Sequence, residues 1–277
     1  MHSENELGYQ TRSDGFGILY GEIAGALIER CGRNGMGIVR KAVAAYGKKK
    51  GKRLREQYMG SGVRTDLHNL MAAEDGCWKD PRTLKKTVRD TPEAQLWEIY
   101  SCPLEKNWRD RGREEAGRLY CEEYLHALMD GYGEGAGQAN VSNSKTCRRD
   151  DRCVMAMYCR TANQNETQKG TGDGNGIIRE IPVEGSTLLL YRCFIEVMKE
   201  EKDAEVVAAG KYGIKNGVEI MAETLIKKAD QVGRSLDEEC LMEFFPFCRM
   251  EERREDRILR QCCLQVFGEG LQKGGWV

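Results

Sequence analysis

The chain has 277 residues, of which 40% are hydrophobic and 31% charged. That is polar for a globular protein, yet apolar enough to build a core in one large domain or two modest ones. Its 43 basic and 44 acidic side chains leave a net charge of −1, which excludes a global field that would steer it to nucleic acid or an anionic membrane.

Gly15 to Glu29 carries an apolar stripe of Ile18, Leu19, Ile23, Leu27 and Ile28, which predicts a helix with Asp14 as its N-cap. Gly35 to Gln57 predicts a second helix, and Arg64 to Ala73 a shorter third. The basic run of the second, Lys48 to Arg55, reads as a solvated face, with no interleaved aromatics to stack on bases. Thr83–Val88 and Gln95–Cys102 then read as strands joined at Asp90-Thr91-Pro92. A helix follows from about Arg113 to Met129, stopped by Gly131, Gly133, Gly135 and Gly137. Asn140–Thr146 and Cys153–Arg160 read as a hairpin around Arg149-Asp150-Asp151. The order of elements predicts an α+β fold with an antiparallel sheet and a cysteine-bearing helix.

Thr161–Asn175 is polar and Gly-rich, and beyond Ser186 the chain reads as almost wholly helical. Three segments follow: an α+β domain at 1–160, a linker at 161–185 and a helical region at 186–277. That last region echoes the first helices. Leu19-Tyr20 recurs as Leu190-Tyr191, Tyr46-Gly47 with Gly51 as Tyr212-Gly213 with Gly217, and Asn69-Leu70-Met71 as Cys240-Leu241-Met242. We read it as a partial repeat that serves as cover, leaving the chemistry in the first half.

No apolar run approaches the roughly 18 residues that span a bilayer. The segment Met1–Asp14 lacks the apolar centre of a signal peptide. A cytoplasmic location is expected, with the 12 cysteines held as thiols. They include no CxxC pair, so no zinc ribbon or iron–sulfur cluster is expected.

Cys102, Cys121 and Cys153 punctuate the strand–helix–hairpin block, and a compact fold could bring them together. Cys102 sits where a strand turns into a helix ahead of Pro103, a common place for functional groups. The free N–H groups of the next segment would lower its thiol pKa. Cys121 shares a helix face with Gly117, Tyr124, Leu125 and Leu128, which suits core packing, a pocket wall or metal ligation. Glu122 and His126, four apart, could form an acid–base pair, though a surface ion pair is the favoured reading. Arg118 lies near the Cys121 face and is a candidate for holding a substrate carboxylate.

Taken together, Leu19-Tyr20, Tyr46-Gly47, Cys102-Pro103, Gly117-Arg118-Leu119-Tyr120-Cys121, Lys145-Thr146 and Cys153 resemble the L-2-amino-thiazoline-4-carboxylic acid hydrolase family. A more distant resemblance is to 4-vinyl reductase-type small-molecule-binding domains. Two departures from the family pattern stand out. The segment Glu122-Glu123-Tyr124-Leu125-His126 is one residue longer before Gly131-Tyr132. Cys147-Arg148-Arg149-Asp150-Asp151-Arg152 replaces a small Gly-rich turn.

The resemblance implies a hydrolase that opens the ring of a small cyclic amidine such as a 2-amino-thiazoline carboxylate. Cys102, Cys121, Cys153, Glu122 and His126 would be catalytic, and Arg118 and Tyr124 would bind substrate. No metal or cofactor is expected. The partner is a small-molecule substrate, with no nucleic acid or membrane and with homo-oligomerisation left open. The alternative is a non-enzymatic small-molecule-binding or sensor domain.

Overall fold

The computed structural model describes residues 4–73, 79–145, 150–170, 183–234 and 253–268. Helix α1 spans Glu4–Gly60 and breaks at Gly32, which holds φ 54° and ψ −128°. Only glycine adopts such a backbone readily. Past the break the chain turns back: a Cβ on Gly35 would lie 2.0 Å from the Leu27 carbonyl oxygen. The two arms of α1 match the two expected helices, but the first begins ten residues before Asp14. Asp14 is therefore no N-cap. It forms ion pairs with Arg82 at 2.9 Å and Lys228 at 2.6 Å, tying the segment before the sheet to the helices.

Helix α2 (Leu67–Ala73) leads to strands β1 (Leu84–Thr91) and β2 (Ala94–Ser101). Their turn falls at Pro92-Glu93, slightly later than expected. Helices α3 (Pro103–Asp110) and α4 (Glu114–Gly133) follow, then strands β3 (Gly137–Asn143) and β4 (Cys153–Cys159). The sheet is antiparallel throughout, in the order β1-β2-β4-β3. Ile99 pairs with Cys153 and Trp97 with Met155. Trp97, Ile99, Cys153, Met157 and Cys159 are buried on the inner face. Glu98, Tyr100 and Tyr158 alternate to the outer face, as the two-residue period requires.

Helix α4 runs through Gly131, which the sequence suggested as a stop. It ends instead where Glu134 takes a left-handed φ of 46°. Gly131 is there for packing: a Cβ on it would lie 2.2 Å from the Lys48 carbonyl oxygen in the second arm of α1. Gly47 and Gly51 press on α4 from the other side. A Cβ on Gly51 would lie 2.2 Å from the Leu128 carbonyl oxygen.

Helices α5 (Val183–Glu201), α6 (Ala204–Gln231) and α7 (Arg257–Phe267) complete the described chain. Gly213, in α6, packs just as closely on α1: a Cβ there would lie 2.5 Å from the Glu22 carbonyl oxygen. Both echoed Gly-x3-Gly pairs thus mark close helix crossings. Cys240-Leu241-Met242, residues 146–149 of the expected hairpin and residues 171–182 of the expected linker lie outside the described residues. The described part of that linker is mostly exposed but anchored at two points. Gln164 and Gln168 are buried, and Gln168 donates to the Gly133 carbonyl at 3.1 Å. No helix among the described residues is long and apolar enough to cross a membrane.

The interior holds two main apolar clusters. One joins α1, α3, the start of α4, α5, α6 and α7. The other joins the second arm of α1, α2, α4 and the inner face of the sheet. Cys102 and Tyr124 pack against both.

Gly51→Ala forces a methyl into the α4 backbone. We expect it to cost about 1–3 kcal/mol and lower the thermal midpoint by several degrees. Gly133→Ala meets no atom within 4 Å and serves as the control. Differential scanning calorimetry of the two variants checks this; equal midpoints would mean that the crossing is not tight.

Candidate functional site

A cavity of about 120 Å³ lies at the seam between the two clusters. A single water needs at least roughly 10–15 Å³, so the cavity is large enough for a small ligand. Cys102, Cys121 and Cys153 all line it, each delivered by a different element. Cys102 caps α3 with extended backbone, φ −129° and ψ 118°. Cys121 comes from mid-α4 and Cys153 from the start of β4. The walls are aromatic: Phe16, Tyr46, Trp108, Tyr120 and Tyr124. Tyr124 stacks between Tyr46 and Tyr120, with ring centroids 5.3 and 5.1 Å apart. Trp108 is fixed by its indole N–H, which donates to the Gly17 carbonyl at 2.9 Å.

Polar groups in the lining are few. Lys50 is only 2% exposed, and its Nζ lies 3.2 Å from the Tyr124 hydroxyl. It is the only basic side chain among the described residues of the lining. Glu105 is buried in the first turn of α3 and ion-pairs with Arg109. Thr83 and Ser186 add hydroxyls. Cys153 Sγ accepts the Lys145 backbone N–H at 3.3 Å.

Lys50 corrects the reading of its basic run as a solvated face. Lys48, Lys49 and Lys52 are exposed, but Lys50 is not. The signal was present. Val43, Tyr46, Lys50 and Leu54 recur every three or four residues, which puts Lys50 on the buried stripe of its helix.

The other expected site residues fall elsewhere. Tyr124 lines the cavity; Glu122, His126 and Arg118 do not. Glu122 is held between Arg40 and Arg118, each at 2.6 Å. Burial pushes the Glu122 carboxyl up, but the two guanidiniums outweigh it and leave the pKa below the ordinary value. It is therefore a fixed anion. Arg118 also bonds Glu115, and His126 is exposed on the far side of the helix.

The ionisation of Cys102 also differs from expectation. Burial pushes its thiol up to about 11. The N–H groups of Leu104 and Glu105 favour the thiolate, as expected at a helix start, but they are outweighed. The residue keeps some exposed surface even so, and that surface is the cavity wall. Among the described residues, no three His, Cys, Asp or Glu side chains converge as metal ligands.

The family model for L-2-amino-thiazoline-4-carboxylic acid hydrolase matches residues 16–161, which contain all three cysteines and Lys50. The chain belongs to that family. No curated protein and no solved structure matches it. The matched segment holds most of both arms of α1, the sheet and α4. Val183 and Ser186, which also line the cavity, lie beyond it.

With its pKa near 11, Cys102 is about 10⁻⁴ thiolate at pH 7, against ~3% for a free cysteine. In the ligand-free protein, alkylation of Cys102 should be slow at neutral pH and rise about tenfold per pH unit towards pH 11. Peptide mass spectrometry after timed labelling reads this. Rapid labelling at pH 6 would mean that the helix amides prevail over burial.

Proposed function

We propose that this chain hydrolyses a small cyclic amidine that carries a carboxylate, of the 2-amino-thiazoline-4-carboxylate type, with Cys102 as the nucleophile. The observation that carries this reading is a cavity lined by three cysteines together with one buried lysine. The cavity's size suits a small ligand. Lys50 is the anchor for the carboxylate, in place of Arg118. It is the one basic side chain among the described residues of the lining, and an N–H donor on a lysine suits a carboxylate oxygen.

The chemistry follows from the groups present. The basic ring nitrogen of the substrate takes the Cys102 proton, which yields a thiolate beside an amidinium. Opposite charge at contact favours both ionised forms, so substrate binding reverses the effect of burial on Cys102. The thiolate adds to the amidine carbon. The tetrahedral adduct collapses with cleavage of the ring C–S bond, and the ring sulfur leaves as a thiol. Water then attacks the same carbon and expels Cys102 as a thiol, leaving a carbamoyl group on the opened product. The net change is the addition of one water. The amides of Leu104 and Glu105 stabilise the sulfur whenever it carries charge. Cys121, Cys153 and Tyr124 shape the pocket around the ring.

One observation favours the competing reading, a binding or sensor domain. Burial pushes the Cys102 thiol up to about 11 in the ligand-free protein, and binding alone needs no lowered pKa. Turnover separates the two.

The assay is thiol release from L-2-amino-thiazoline-4-carboxylate. Cys102→Ala should reduce kcat by more than about 100-fold, as loss of a nucleophile does. Lys50→Met should raise KM by about tenfold or more, the size of a charged hydrogen bond. His126→Gln should change kcat/KM by less than about twofold, as an exposed residue away from the cavity does. Full activity in Cys102→Ala would rule out the covalent route. Binding without thiol release in the wild type would leave the sensor reading.

A further inference from the structure

We propose that the first turn of α5 is a subsite for an anionic oxygen of the ligand, with Ser186 as its hydrogen-bond donor. It deepens the reading above and rests on it for the choice of cavity and for a ligand that carries a carboxylate.

Ser186 is 4% exposed and lines the cavity. Its Oγ is buried and has no hydrogen-bond partner among the described residues. That is unusual, because buried hydroxyls are nearly always satisfied. Its neighbour shows the ordinary solution: Thr187 Oγ1 donates back to the Val183 carbonyl at 2.8 Å. Ser186 makes no such bond, and the residue is one of those that line the cavity.

The position selects for negative charge. Val183 and Ser186, three residues apart, share the face of α5 that meets the cavity. Ser186 lies in the opening turn of a 19-residue helix. The first N–H groups of a helix have no partner within it, and its dipole is positive there. Glu184, the acid in this turn, is engaged by Arg12 at 3.5 Å. A carboxylate has more acceptor sites than one ammonium fills, so a hydroxyl donor can share a ligand carboxylate with Lys50. The helices beyond residue 161 would then be part of the site, and ligand preference would be set partly outside the family-matched segment.

Calorimetric titration of the full chain with two inert probes, thiazole-4-carboxylate and its neutral counterpart 4-methylthiazole, tests this. The wild type should bind the carboxylate at least about tenfold more tightly. Ser186→Ala should lose about tenfold for the carboxylate and less than about twofold for 4-methylthiazole. The variant should melt at the wild-type temperature or above it, because it removes an unsatisfied buried hydroxyl from a helix. Two results overturn the proposal: Ser186→Ala binding the carboxylate within about twofold of wild type, or a wild type that does not distinguish the probes. Neither result depends on turnover. A protein that binds through Ser186 yet opens no ring loses the hydrolase assignment and keeps the subsite.

Discussion

The backbone contact between α1 and α4 sets the geometry on which the rest depends. Gly47, Gly51 and Gly131 let the two helices approach until a Cβ at any of them would overlap the partner's main chain. Small residues at a crossing exchange side-chain volume for close approach. This brings Lys50 to Tyr124 and turns Cys121 towards the cavity. It also explains why a glycine-rich helix survives: Gly131 is stabilised by what it touches. Larger side chains there would hold the helices apart and open the seam in which the cavity lies.

That seam explains the electrostatics. Cys102 and Tyr124 belong to both apolar clusters, so the groups around the cavity are sheltered from water on two sides. Desolvation then dominates Cys102, and the α3 amides only reduce its effect. A sheltered thiol of this kind favours its neutral form, and an opposite charge brought next to it would favour the thiolate. The same shelter strengthens each polar contact that a ligand makes inside, which is how few polar groups can give specificity. Outside the cavity, Arg40, Arg118, Glu115, Glu122 and Glu123 satisfy one another along α4. They hold α4 to the second arm of α1, and none of them lines the cavity.

Much of this was legible in the chain. Apolar periodicity placed the helices, and two-residue alternation placed the strands, because both patterns are local. The three cysteines were found because each sits at a recognisable element boundary or on an apolar helix face. Errors arose where a residue answers to a distant neighbour. Asp14 looked like a cap but pairs with Arg82 and Lys228. Gly131 looked like a stop but fits against Lys48. Glu122 and His126 looked like a pair, but Arg40 and Arg118 hold Glu122.

The sequence by itself determined the α+β order, the membership of the family and the identity of the three thiols, since these depend on residue type and spacing along the chain. The tertiary structure decided which lysine of a basic run is buried and which arginine is not at the site. It also decided whether a helix start could ionise a thiol and brought Ser186 from the far half of the chain to the cavity wall. Those outcomes depend on desolvation and on contacts between residues far apart in the chain, and neither quantity is written in any local stretch of sequence.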